Sequence, residues 1–591
     1  MRLIRPITLA SFCCLIPTLA ACGSAPLKAQ GEPAYAPGAP DREASYADEA
    51  AAGAPAMSQP GQPMPMGAAK SHAQPPPTQP ATAESDALSR SASGAPVTAP
   101  AKPKKLASPL AKGAKPLPTV ATPAAEPGGT EQYTDYGVNP AVDPAKDALS
   151  TFAIDVDTAS YSIARSKLTR NQLPPFQSVR AEEFLNYFDY GYAAPPSRPF
   201  NVHLHAAPSP YQRGHHILRV GLQAKQLSRA ERTNVHLVYL VDTSGSMRRP
   251  EKIGLAKKSL KLLTKELKPG DTVALCTYAG STRVVLPPTG ANQQRLILHA
   301  IDQLSAGGGT AMSSGLEGAY GLAQRTLVKG HVNRVIVLSD GDANIGRTNH
   351  QAILKRIGHF KDMGITMSTV GFGRGNYKDT MMEQLANQGD GNYAYIDTEA
   401  EARRVFGEQL NGMLEVVARD VKIQVQFDPR VVQTYRLIGY ENRDVADRDF
   451  RNDQVDAGEI GAGHNVTALY DVVLKAQPTP GRSPVVVRLR HKQPTGSNKA
   501  TEMAVKLQPH QVSASFAAAP KNLRFATAVA GFAEILRHSP HARSWTLDMV
   551  ERIATQASWG QAEQREFIDL VNRSKRLLPK RSQGTGAVMA K

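Results

Sequence analysis

Between residues 231 and 418 nearly continuous apolar runs alternate with amphipathic stretches, and this alternation limits the possible folds more than any other feature of the 591-residue chain. Val235-His236-Leu237-Val238-Tyr239-Leu240-Val241 has the pattern of a central parallel strand covered on both faces. A helix over 252–267 follows, with Ile253, Leu255, Ala256, Leu260, Leu263 and Leu267 near one face. Strand-like runs at 273–278 and 283–286 precede a helix around 295–304, and Thr310 opens another helix. A second buried strand at 335–338 ends at Ser339-Asp340-Gly341. A helix at 351–363, strand at 366–372, helix at 381–388, strand at 393–396 and helix at 400–417 complete the series. The repetition predicts an α/β doubly wound, Rossmann-like sheet, with right-handed crossovers placing helices on both faces.

The flanks carry other periods. Residues 130–230 read as a small N-terminal mixed α/β region. It has a strand-like run at 152–158, helical periodicity through Tyr161, Ile163, Ala164 and Leu168, and alternation at 201–205 and 217–222. Past Ala418 a period of two returns at 421–427, 466–474, 485–489 and 503–507, which predicts a β-rich domain over 419–510. Helical periodicity at 523–536, 547–557 and 563–577 makes 511–591 a helical C-terminal region, with Trp545 and Trp559 packing between helices.

Composition accounts for the rest of the chain. About 20 of its 44 prolines lie between Gly23 and Gly128, in a stretch too poor in aliphatic clusters to offset its chain entropy. Residues 22–129 are therefore expected to form a disordered Ala/Pro-rich tether. Before it, Arg2 and Arg5 precede an apolar run too short to span a bilayer, as in a signal peptide over 1–21. That run ends in Leu19-Ala20-Ala21-Cys22, which resembles the lipobox of bacterial lipoproteins. The resemblance implies cleavage before Cys22, acylation of its sulfur and new amino group, and stable membrane anchoring by several acyl chains. Gly23, where Asp would imply inner-membrane retention, points to the outer membrane. Cys276 is then the only free thiol, a small hydrophobe without a disulfide partner. The net charge of +17 is spread thinly. Its one dense run, Arg573, Lys575, Arg576, Lys580 and Arg581, has no interleaved aromatics and reads as a solvated helix end, so no nucleic-acid partner is expected.

Asp242-Thr243-Ser244-Gly245-Ser246 stands directly after the first buried strand, at the carboxyl edge where ligands of open α/β sheets gather. Thr310, after Gly307-Gly308-Gly309, and Asp340, at the end of strand 335–338, return to the same edge. Asp242, Ser244, Ser246, Thr310 and Asp340 offer only hard oxygens, a set suited to Mg²⁺ or Mn²⁺ and not to zinc or copper. Other acidic and histidine runs are weaker. Asp340-Gly341-Asp342-Ala343-Asn344 lacks the glycine and glutamate positions of a calcium loop, and the pairs His203/His205 and His215/His216 lack a third ligand at zinc spacing. Asp155 and Asp157 are read as structural.

The five-residue pattern resembles the metal-ion-dependent adhesion site of von Willebrand factor type A domains, matching at every position, in order and in strand context. The resemblance implies direct ligation by Ser244, Ser246 and Thr310, with Asp242 and Asp340 acting directly or through water. It also implies an open coordination position that an acidic residue of a protein partner completes. Together with Asp155-Val156-Asp157-Thr158-Ala159-Ser160 and the C-terminal region, the chain from about residue 133 to 577 looks like YfbK-type bacterial lipoproteins. The expectation is a membrane-anchored, divalent-metal-dependent protein-binding or adhesion module of the bacterial cell envelope. An enzyme is not expected, because His-Glu-x-x-His, Gly-x-Ser-x-Gly and P-loop patterns are missing and no general base accompanies the pentad. The alternatives are a metal-assisted hydrolase and a structural envelope protein whose metal site stabilises it.

Overall fold

A computed structural model describes residues 131–342, 347–373, 377–475, 483–495 and 498–578. The expected signal peptide, Cys22, the tether, Lys580 and Arg581 lie outside the described residues. The chain begins with β1 (Leu149–Ala153), α1 (Ala159–Leu168), α2 (Ala181–Asn186), β2 (Phe200–Pro208) and β3 (His215–Ala224). Next come β4 (Val235–Asp242), α3 (Leu255–Lys265), β5 (Thr272–Tyr278), β6 (Thr282–Gly290), α4 (Gln294–Asp302), α5 (Met312–Arg325) and β7 (Val332–Ser339). The same stretch continues through α6 (Arg347–Asp362), β8 (Ile365–Phe372), α7 (Asp379–Gln388), β9 (Tyr393–Ile396), α8 (Glu399–Arg403) and α9 (Leu410–Leu414).

β4 to β9 form one six-stranded sheet in the order β6-β5-β4-β7-β8-β9, parallel except for the antiparallel edge strand β6. All eight residues of β4 are buried, as its apolar run requires. Val235, Leu237, Tyr239 and Val241 point into one core with Leu260, Leu263 and Ile297. Val238 and Leu240 point into the opposite core with Leu316, Ile357 and Leu385. Helices therefore cover both faces, and the doubly wound sheet is the one the alternation predicts. Cys276 is free and buried in the second core.

The remaining strands are β10 (Val416–Phe427), β11 (Val432–Ile438), β12 (Gly458–Gly461), β13 (Asn465–Leu474), β14 (Val485–Lys492) and β15 (Thr501–Lys506). They do not keep to themselves. β1 joins β10, β14 and β15 in one sheet, and β2 and β3 join β13 and β11 in another. The two sheets share a core containing Phe152, Val220, Leu222, Ile423, Val425, Val466 and Leu489. The expected regions 130–230 and 419–510 thus contribute strands to the same pair of sheets, with the α/β sheet inserted between β3 and β10. The helix expected over 400–417 stops at Leu414, and β10 begins at Val416, so residue 418 lies within a strand.

The helices α10 (Lys521–Leu536), α11 (Leu547–Ala557) and α12 (Ala562–Leu577) pack with α1 and α2 through Tyr161, Phe184, Phe188, Phe525, Phe532 and Phe567. Trp545 stacks on Tyr211 at 4.3 Å, whereas Trp559 is 37% exposed and meets Phe525 edge-on. α1 also serves the α/β unit, since Ala159 and Ile163 belong to the core beneath its sheet. Buried ion pairs reinforce that join: Arg165 to Asp397 and Glu401, and Arg180 to Asp379; Arg443 pairs with Asp155 and Asp157 within the flanking region.

Candidate functional site

Parallel pairing sets the site. Val241 on β4 lies in register with Leu338 on β7, so Asp242 and the Ser339-Asp340 pair leave the sheet at the same edge. Ser339 Oγ donates to Asp242 Oδ2 at 2.9 Å, and the Tyr278 hydroxyl at the end of β5 donates to the same oxygen at 3.1 Å. Three adjacent strand ends therefore converge on one carboxylate. Its other oxygen accepts the Ser244 backbone N–H at 2.9 Å, which turns the chain so that the Ser244 and Ser246 hydroxyls lie 2.8 Å apart. Asp340 Oδ1 accepts the Asp342 N–H at 3.0 Å in a similar short turn. Gly341 has φ of +72°, a conformation open to glycine without the strain a side chain would bring.

The glycine loop before Thr310 is sewn to the pentad by two backbone bonds. Gly245 N–H donates to Gly308 O at 3.0 Å, and Gly307 N–H donates to Thr243 O at 2.7 Å. The fold thus brings Asp242, Ser244 and Ser246 together, places Asp340 beside them through Ser339, and delivers the Thr310 loop. Among the described residues no hydrogen bond links the Thr310 hydroxyl itself to the other four.

Asp242, Ser244 and Asp340 are fully buried. Burial raises the Asp242 carboxyl above its ordinary range; the Ser244 hydrogen bonds oppose that rise, and the Asp340 charge adds to it. Two desolvated carboxylates this close call for a positive charge. The donor set of carboxylate and hydroxyl oxygens fits a hard divalent cation, and Tyr278 and Ser339 are placed to orient Asp242 from behind.

Sequence reasoning missed a cation already there: Lys252 Nζ lies 2.8 Å from Asp340 Oδ2, and the lysine is only 4% exposed. It sits in a π-helical turn, Pro250–Gly254, ahead of α3. One signal could have found it, because Lys252 precedes Leu255 and Ala256 by three and four positions and so lies on the buried stripe of the helix. Tyr278 and Ser339 carry no local signal beyond their places at strand ends.

The weaker motifs find other partners. Asp157 Oδ1 accepts the Tyr393 N–H at 2.8 Å and Oδ2 accepts from Arg443 at 3.1 Å, a structural role joining β9 to β10's sheet pair. His203 bonds Ala193 O, His205 bonds Ser513 and His215 bonds Asp471. A separate acidic trio, Asp390, Asp456 and Glu459, is bridged by Lys361 at 3.1 Å from Asp390 and 2.8 Å from Asp456. In the C-terminal basic run, Lys575 pairs with Asp548 and Glu551, and Arg573 with Asp569.

A doubly wound sheet carrying this pentad at its central strand end, with the threonine and aspartate loops beside it, defines a von Willebrand factor type A domain. The family profile for that domain matches residues 236–408. A second von Willebrand factor profile matches 127–219, and the profile "Uncharacterized protein YfbK, C-terminal" matches 412–577. The chain is 36% identical over 477 residues to the "Uncharacterized protein YfbK" of Escherichia coli (strain K12), covering 76% of this chain and 82% of that one, and it belongs to the YfbK family. It is also 24% identical over 216 residues to "Uncharacterized protein sll0103" of Synechocystis sp., over 36% of this chain and 50% of that protein. Among solved structures it is similar to a von Willebrand factor type A protein from Catenulispora acidiphila, at 16% identity and a TM-score of 0.39, covering 65% of this chain and 91% of that one. Domains of this type serve in adhesion and protein interaction and are generally non-catalytic. Among the described residues no helix is long and apolar enough to cross a membrane.

Proposed function

We propose that this protein is a divalent-metal-dependent protein-binding module, anchored to the bacterial cell envelope through lipid on Cys22. The observation that carries the reading is the convergence of Asp242, Ser244 and Ser246 with Asp340 and the Thr310 loop at one sheet edge. Those five residues would hold Mg²⁺ or Mn²⁺, and a bound ion would supply an electrophilic centre for a carboxylate of the partner. Neutral hydroxyls leave more of an ion's charge for that incoming anion than a cage of carboxylates would. Tyr278 and Ser339 hold the Asp242 carboxylate in place, and the pentad turn aligns the two serine hydroxyls. The lipobox at residues 19–22 supports the anchor, and Gly23 supports the outer membrane. The test is capture of envelope proteins on the immobilised full chain, with Mg²⁺ and with chelator. Retention of the same partner in Mg²⁺, its release by chelator and its loss with Asp242→Ala support the reading. Retention that ignores chelator and substitution alike contradicts it.

A further inference from the structure

The buried lysine at this site has a consequence for what the site binds. Asp242 and Asp340 are both fully buried, and the ammonium of Lys252 lies 2.8 Å from Asp340 Oδ2. Its stem has a dedicated track. A Cβ placed on Gly373, whose φ is +81°, would stand 2.6 Å from Lys252 Cγ and 2.8 Å from its Cδ, too close for any side chain. The residue that lets the chain turn after β8 thus also leaves room for the lysine to reach Asp340. The π-helical turn Pro250–Gly254 puts Lys252 on the buried side at the start of this helical stretch, a local irregularity frequent at functional sites.

We propose that Lys252 is a built-in counter-cation of the oxygen site, one that competes with a divalent ion for Asp340 and biases the loaded site toward anionic ligands. This rests on the reading of the five oxygens as a divalent-ion site. Two carboxylates and one ammonium sum to one negative charge, so the chain itself compensates half of the buried pair's charge. A divalent ion brings the total to one positive charge, whereas without the lysine the total would be zero. An ion entering this site meets a resident cation and binds less tightly than it would to the same oxygens alone. In return, the loaded site carries a net positive charge that a carboxylate neutralises and a neutral amide or hydroxyl does not. That charge favours the carboxylate ligand already proposed for the site. Lys252 acts as a positioning residue, through Asp340 and the site's charge.

The test compares Mn²⁺ binding to the full chain and to Lys252→Met by calorimetry, with melting temperature in chelator and in Mn²⁺ as a second readout. Methionine keeps the stem over Gly373 and removes the charge. The expected result is Mn²⁺ binding at least fivefold tighter in the variant, with a larger rise in melting temperature on adding Mn²⁺. Binding seen in the variant alone is the strong form of the same result. A variant that unfolds in chelator and is restored by Mn²⁺ also supports the proposal, because the metal then supplies the missing charge. Less than a fivefold gain, or an unfolded variant that Mn²⁺ does not restore, overturns the role of Lys252 while wild-type binding leaves the metal site standing. Failure of both proteins to bind Mn²⁺ overturns the metal reading of the site, and the lysine inference with it.

Discussion

Glu401 is a shared carboxylate at the join between the von Willebrand factor A domain and the helices of the flanking region. From α8 it accepts from Arg165 of α1 at 2.9 Å, from the Tyr187 hydroxyl at 2.9 Å, and from Arg404 Nε at 3.0 Å. Burial alone would raise its carboxyl, but Arg404 and Arg165 outweigh that cost and hold it down at about 2, against an ordinary value of 4.5. At about 1.4 kcal/mol per pH unit, the ionised form is favoured by about 3 kcal/mol more in the folded chain than in the unfolded one. Because the folded value is depressed, this contribution is complete above pH 4.5 and is lost as pH falls from 4.5 toward 2. Glu401→Gln keeps the shape and removes the charge, leaving Arg404 with Thr158 and the Tyr187 ring as its neighbours. Urea unfolding at pH 7 should show a loss of about 3 kcal/mol, shrinking to roughly 1 to 2 kcal/mol by pH 3. A loss below about 1 kcal/mol at pH 7, or one that stays constant between pH 6 and pH 3, refutes the assignment of a paired, ionised Glu401.

Glu182 behaves in the opposite sense. Burial, with Glu441 and Asp155 adding to it, raises its carboxyl to about 7, so its ionisation opposes folding as pH climbs from 4.5 through 7. Glu182→Gln keeps an acceptor for the Tyr440 N–H and should raise stability at pH 8 by up to about 3 kcal/mol while changing little at pH 4; an equal loss at both values contradicts this. Cys22→Ser should leave the protein in the soluble fraction, and a variant still in the membrane fraction after a high-salt wash rules out the lipid anchor.

How much of this was legible depends on the range of the interaction. The six-stranded sheet was readable because each strand announces itself locally: Val235–Val241 is apolar but for His236, and the helix that follows repeats its buried face every three or four residues. The pentad was readable for the same reason, being contiguous and placed at a strand end. Asp340 needed only the end of a second buried strand. Nothing local announces that Val220 of β3 lies opposite Ala468 of β13, or Phe152 of β1 opposite Ile423 of β10. Alternation marks a half-buried strand and does not name its partner, so strands separated by the whole inserted domain were assigned to different regions. The end of the last helix was lost to competition between signals, since 410–418 carries apolar residues compatible with either period and the sheet claims it from Val416 onward. Lys252 was missed because a lysine on a helix is ordinarily a solvated residue. Only the carboxylate from another strand and the missing side chain at Gly373 explain its burial.

The central claim is that residues remote in sequence supply one coordination shell, and calorimetric titration of the full chain with Mg²⁺ and with Mn²⁺ tests it most directly. Wild type, Asp242→Ala, Thr310→Ala and Asp157→Ala should each be titrated, with circular dichroism confirming that every variant is folded. The account predicts one site in the wild type, a large loss with Asp242→Ala, a smaller loss with Thr310→Ala, which removes one neutral oxygen, and no change with Asp157→Ala. A well-folded Asp242→Ala protein that binds the ion with wild-type affinity would contradict the account.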